Sequence, residues 1–263
     1  MRRLSDLMGL RHDHTQTPCV PQGMAVFAIG DIHGCVQPLA RLHQKILEVA
    51  ETLPHGTKKI AVYLGDYGDY GPAACDVVDL LVSAPLFGFK SIHLLGDQDL
   101  HFLRFLRGGR DILRCDRKLV HWLNELGGLE TLRSYGVQII GAVNAQSLVT
   151  MRTELLRKIP TDHLSFYQNL QMSHVIGDFF FSHAGARNSR EANAQLPTDL
   201  LRPSEVKQDD PNIRMDKIVV HGHLAPKTRS ANSTRIGVCA DPHRTGQMNA
   251  LMIAYQRLAW IDV

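Results

Sequence analysis

Ala25-Val26-Phe27-Ala28-Ile29-Gly30-Asp31-Ile32-His33-Gly34 reads as a short apolar strand stopped by glycine, then an aspartate and a histidine two positions apart. A carboxylate and an imidazole at the mouth of one strand can aim at a single point. That mix of hard oxygen and borderline nitrogen suits Mn, Fe or Zn better than Ca or Mg. The same grammar recurs twice. Residues 60–64 are apolar and stop at Gly65-Asp66, and residues 90–95 stop at Gly96-Asp97. A helical stretch follows each strand: 36–51, with Leu39, Leu42, Ile46, Leu47 and Ala50 on one face, then 73–83, then the run after Gly96, capped by Asp97 or Asp99. Strand, glycine, aspartate, helix three times over predicts a largely parallel sheet. Asp31, Asp66 and Asp97 then share its carboxyl edge, where such sheets bind ligands.

Farther along, residues 110–171 are helical and carry no readable chemistry; they are expected to flank the sheet. Residues 175–181 return to strand around a Gly177-Asp178 turn and run into Ser182-His183-Ala184-Gly185. Residues 187–215 read as a loop with short helical pieces. Residues 217–220 form a strand ending in His221-Gly222-His223, and 235–238, 248–255 and 258–263 read as further strands. The donor inventory is therefore Asp31, His33, Asp66, Asp97, His183 and either His221 or His223, a set of the kind two cations sharing one carboxylate require.

Composition sets the frame. Of 263 residues, 44% are hydrophobic and 21% charged, an ordinary globular balance, and the chain reads as one domain over 23–263 after a flexible basic lead-in over 1–22. The net charge of +3 is compatible with an anionic substrate and makes no case for nucleic acid. Five widely spaced cysteines without a C-x-x-C pair read as reduced thiols in a cytoplasmic protein. No apolar run approaches the roughly 18 residues of a membrane span. Nothing in the sequence specifies an oligomeric state.

In order and spacing, Gly30-Asp31-Ile32-His33-Gly34, Gly65 to Pro72, Gly96 to Asp99, His183 to Gly185 and Gly222-His223-Leu224 resemble the motifs of the calcineurin-like metallophosphoesterases. Within that family the match is to the bacterial phosphoprotein phosphatase branch, of serine/threonine phosphatase type, with degenerate catalytic motifs. The resemblance implies an α/β fold, an αββα sandwich of two mixed β-sheets flanked by helices. It implies two divalent metal ions (Mn, Fe or Zn). Asp31 and His33 would bind the first, Asp66 would bridge both, and Asp97, His183 and His223 would bind the second. The implied reaction is attack of a metal-bridging hydroxide on a phosphate monoester, with a phosphorylated substrate, such as a phosphoprotein, as partner.

The chain departs from the family pattern where catalysis lies. Gln98 stands where the family has its proton-donating histidine, and glutamine cannot titrate. Asp97 replaces an asparagine and adds a negative charge. Tyr70 replaces a phosphate-clamping arginine, which leaves one hydrogen bond in place of a guanidinium. Leu224 replaces the usual threonine, and the C-terminal motif reads Val238-Cys239-Ala240-Asp241-Pro242-His243. Asp69, the histidine's usual partner, and Arg187 remain as catalytic candidates, with Tyr70, Gln98 and Arg187 expected on the substrate. His101, three residues after Gln98 on the same helical face, is an alternative acid. The expectation is a phosphoesterase of altered or reduced activity. The alternatives are an inactive pseudophosphatase that binds metal or phosphorylated partners, and a nucleotide hydrolase of the diadenosine tetraphosphate type.

Overall fold

In the computed structural model, residues 2–3, 17–201, 215–223, 230–232 and 234–263 are described. Two mixed sheets face each other. The first is built on three parallel strands, β2 (Met24–Ile29), β3 (Lys58–Tyr63) and β4 (Phe89–His93). Beside β2 run β10 (Asn249–Ala254) and β11 (Arg257–Asp262), both antiparallel additions, with β1 (Arg2–Arg3) at the edge. The second sheet has the order β5 (Ser173–Ile176), β6 (Phe179–Ser182), β7 (Ile218–His221), β9 (Arg235–Gly237), β8 (Ser230–Ala231). The expected sandwich of two mixed sheets flanked by helices is what forms.

Side-chain alternation explains the layers. Val26, Ala28, Val62 and Ile92 from the first sheet meet Phe179, Phe181 and Val220 from the second, and this is the inner core. Ala25, Phe27, Ala61 and Tyr63 point the other way, against α1 (Val36–Glu51) and α2 (Ala74–Ser83). The outer face of the second sheet buries Phe180 and Val219 against Leu200 of α9 (Pro197–Leu201). Between the sheets in sequence lies a helical lobe: α3 (Asp97–Arg107), α4 (Arg110–Leu113), α5 (Arg117–Glu125), α6 (Gly128–Ser134), α7 (Ala145–Lys158) and α8 (Thr161–Gln168). It has its own core around Phe102, Phe105, Trp122 and Leu132. The short α10 (Pro242–Thr245) leads into β10.

One expectation shifts. The lead-in is expected to run to residue 22, yet Val20 is fully buried in the inner core and Cys19 N donates to Asp178 at 2.9 Å, so packing begins before Gly23. Residues 4–16 lie outside the described residues, as do Leu224 and residues 202–214 of the expected loop. α3 starts from Gly96 as N-cap, and of the two expected capping aspartates it is Asp99, in a capping box, that serves: its Oδ2 accepts the Gly96 amide at 2.8 Å, while Asp97 turns its carboxylate toward the histidines described next. No helix among the described residues is long and apolar enough to cross a membrane.

Candidate metal centre

Register places the donors. β2, β3 and β4 pair in parallel with Ile29 opposite Tyr63 and Tyr63 opposite His93, so Asp31, Asp66 and Asp97 leave adjacent strand ends. In the second sheet Ser182 pairs with His221, which sets His183 and His223 side by side beyond the strands. The two strand-end rows then meet. The His183 carbonyl accepts the Gly222 amide at 2.8 Å, and His183 Nδ1 lies 2.8 Å from the Leu64 carbonyl. The His223 amide donates to Asp31 Oδ2 at 3.2 Å.

The motif glycines serve close approach. A Cβ on Gly96 would stand 2.0 Å from Asp66 Oδ1, and one on Gly222 would stand 2.2 Å from Asp31 Oδ1. Non-glycine residues here also occupy the left-handed region: His33 (φ 48), Asp66 (φ 55), Asp69 (φ 67) and Tyr70 (φ 55). Such backbone persists only where its surroundings over-determine it. Asp99 helps to do so, its carboxylate accepting the Asp66 amide at 2.8 Å and the Tyr67 amide at 3.1 Å.

The result is two donor clusters with one member in common. Asp31, His33 and Asp66 form one; Asp66, Asp97, His183 and His223 form the other, each with ligand atoms within 4.8 Å of one another. Asp66 Oδ1 is held by the Gln98 amide at 3.1 Å. Its Oδ2 is buried and makes no hydrogen bond among the described residues, at 3.5 Å from His183 Nε2 and 4.0 Å from His33 Nε2. A buried carboxylate oxygen without a donor is costly unless a cation meets it. Burial pushes the Asp31 and Asp66 carboxyls up, and the neighbouring carboxylate Asp97 pushes the same way, against the pull of His183. Burial opposes charge on His183, but Asp66, Asp97 and Asp31 outweigh it and hold the imidazole well above its ordinary value. Crowded, buried carboxyls of this kind are costly to ionise without a cation between them, and the oxygen and imidazole donors fit divalent transition metals. His221 stands apart from both clusters, its Nδ1 3.1 Å from the Gly222 carbonyl and its pKa pushed down by burial to about 4.

The remaining expected residues fall into different settings. Gln98 is buried at the start of α3, its amide nitrogen 3.3 Å from Asp97 Oδ2. Asp69 is buried, with Oδ2 accepting from Trp122 Nε1 at 2.6 Å and Oδ1 from the Thr131 hydroxyl at 2.6 Å. Both oxygens are engaged by the helical lobe, whose role was not legible in the sequence. His101 stacks on Trp122 with ring centroids 6.3 Å apart. Arg187 Nε lies 3.2 Å from the buried Asp199, a carboxylate it shares with Arg190. Tyr70 meets His33 edge-on at 5.0 Å and stacks on His243 at 4.6 Å; His243, which sequence reasoning passed over, comes from the divergent C-terminal motif.

Comparison with known proteins bears on the family and the fold. The sequence profile of the calcineurin-like phosphoesterases matches residues 24–230. A symmetrical bis(5'-nucleosyl)-tetraphosphatase of Legionella pneumophila (strain Corby) is 30% identical over 115 residues, or 39% of this chain and 38% of that protein. The alignment therefore spans well under half the length of that relative. Among solved structures, a candidate diadenosine tetraphosphatase aligns over 94% of this chain and 95% of its own with a TM-score of 0.56 at 20% identity. A cold-active protein-tyrosine phosphatase from a psychrophilic Shewanella species aligns over 99% and 88% with a TM-score of 0.52 at 13% identity. At such identities these structures share a fold.

Proposed function

Because this chain belongs to the calcineurin-like phosphoesterases, we propose that it is a dinuclear-metal hydrolase of phosphate monoesters, with Asp31 and His33 on one divalent cation, Asp97, His183 and His223 on the other and Asp66 shared. The observation that carries this reading is Asp66, common to both donor clusters and buried with an oxygen that no hydrogen bond satisfies. When bound, the cations supply positive charge to the phosphate oxygens and acidify water.

The chain's own residues set the rest. Arg187, oriented through Nε by Asp199, offers its terminal nitrogens to phosphate oxygens. Tyr70 and Gln98 complete the wall. Gln98 holds no transferable proton, so the leaving group must depart with little help. Asp97 adds negative charge beside the second metal position and weakens its pull. The activity is therefore selective for acidic leaving groups and low on alkyl ones. A serine/threonine phosphoprotein is the substrate class that the motifs resemble, turned over slowly because its leaving group is an alkoxide; the bis(5'-nucleosyl)-tetraphosphates named for the Legionella relatives, whose leaving group is acidic, are the competing class. A second reading, a metal-holding pseudophosphatase, is favoured by Asp69, whose two oxygens are given to Trp122 and Thr131.

The deciding experiment is hydrolysis of p-nitrophenyl phosphate by Mn-loaded protein, with Asp66→Asn as blank. We expect turnover that vanishes in the blank, and turnover of an alkyl phosphate roughly 10²–10⁴-fold lower, the usual worth of a general acid. Mn-replete protein that turns over neither substrate overturns the hydrolase reading in favour of the binding one.

A further inference from the structure

Three rings from three distant parts of the chain meet beside the first donor cluster. Tyr70 and His243 lie flat on each other, with centroids 4.6 Å apart and planes 13° apart. Both stand square to His33: Tyr70 at 5.0 Å and 88°, His243 at 5.4 Å and 87°. The centroids thus make a nearly equilateral triangle, a parallel pair set across a third ring. Edge-to-face contacts at these separations are favourable and directional. Turning the His33 imidazole out of its plane would lose both of them at once.

Each ring of the pair is held from its own side. Next to Tyr70, the Gly71 amide donates to the His33 carbonyl at 3.1 Å and the Ala73 amide to the Gly34 carbonyl at 3.1 Å. A Cβ on Gly71 would stand 2.3 Å from the His33 carbonyl oxygen, so these two loops touch backbone to backbone. On the other side, Asp241 enters a tight turn in the left-handed region (φ 53) whose ends are tied down. Thr245 Oγ1 donates to the Ala240 carbonyl at 2.8 Å, Arg41 of α1 to the Gly246 carbonyl at 2.9 Å, and Asn249 of β10 to the Cys239 carbonyl at 3.0 Å. From this platform Asp241 Oδ1 stands 2.8 Å from His243 Nδ1 and fixes the ring.

We propose that His243 is a positioning residue for the cation position of Asp31, His33 and Asp66: anchored by Asp241 and stacked on Tyr70, it clamps the His33 imidazole in its binding orientation. In that orientation His33 Nε2 lies 3.9 Å from Asp31 Oδ2 and 4.0 Å from Asp66 Oδ2, so one divalent transition metal can meet all three. The inference rests on the two-cation reading. The other cluster is ordered by a different ring contact, His183 against His223 at 5.1 Å, so the clamp acts on one cation position and not on its neighbour. Groups that orient a ligating imidazole are worth about 10- to 100-fold in metal affinity.

The test is titration of the metal-free full-length chain with Mn, followed by calorimetry, and with cobalt(II), whose visible absorption reports the geometry of its ligands. The wild type is expected to take two cations. His243→Ala is expected to weaken one of them about 10- to 100-fold and change its cobalt spectrum, while the other keeps its wild-type affinity. His243→Phe keeps a flat ring on Tyr70 and is expected to recover most of the loss. Tyr70→Ala removes the opposite ring, is expected to weaken the same single position, and serves in its place if His243→Ala does not fold. Two affinities that stay unchanged in these alanine variants, or that fall together, overturn this inference and leave the hydrolase reading standing. A wild type that takes fewer than two cations overturns both.

Discussion

Asp66 is the residue on which the site turns. Its amide is fixed by Asp99, its Oδ1 by the Gln98 amide, and its Oδ2 is left facing the histidines of both clusters. Gln98, one strand away, touches Asp97 through its side chain and Asp66 only through its backbone. The two positions therefore separate metal holding from chemistry. In Asp66→Asn both cations lose a shared anionic ligand, and metal analysis after dialysis should find most of the Mn gone. In Gln98→His the backbone amide remains and Mn content should match the wild type. Equal loss in the two variants would refute the shared-ligand assignment. Gln98→His should also recover little activity by itself, because the aspartate that would orient the new imidazole already has both oxygens occupied.

At the scale of elements, the helical lobe is a brace for the loop after β3. Trp122 of α5 and Thr131 of α6 hold Asp69, and Gly127 between those helices packs so tightly that a Cβ there would stand 2.0 Å from the Tyr70 amide. Removing the indole donor in Trp122→Phe leaves a buried carboxylate short of a partner, a loss of about 1–3 kcal/mol. Calorimetry of the metal-free variant should show a melting temperature several degrees lower, at about 2–4 °C per kcal/mol for a chain of this size. An unchanged melting temperature would mean that the brace carries no strain. This is also where reading the sequence reached its limit. The strand-glycine-aspartate repeats are legible because each is a local motif, and parallel pairing in register then lines up Asp31, Asp66 and Asp97 at one edge. The partners of Asp69 lie 53 and 62 residues away on helices with no motif of their own, and periodicity says nothing about which lobe a helix leans on. In the sequence Asp241 and His243 carry no role, because their segment departs from the family pattern that would assign one. Only the stacking on Tyr70 gives it a place.

At the scale of the molecule, the donors come from both sheets: Asp31, His33, Asp66 and Asp97 from the first, His183 and His223 from the second. A cation shared between them stabilises only the closed sandwich, by an amount set by mass action, about 4 kcal/mol at a thousandfold excess over its dissociation constant. A chelator should therefore lower the melting temperature of Mn-loaded wild type by several degrees and leave Asp66→Asn unmoved; a wild type indifferent to chelator would argue against cation bridging. The strand order carries one more consequence, for synthesis. β2, which ends at Ile29, has β3 on one side and β10 on the other, and β10 begins only at Asn249. Until the ribosome has passed that point, one edge of the first sheet stands unpaired, a row of open amides and carbonyls beside buried apolar side chains. The nascent chain should need shelter until β10 is available, and pulse-labelled chains stalled before residue 249 should be held by chaperones and carry no metal, while released chains that include the β10–β11 hairpin should be free of them.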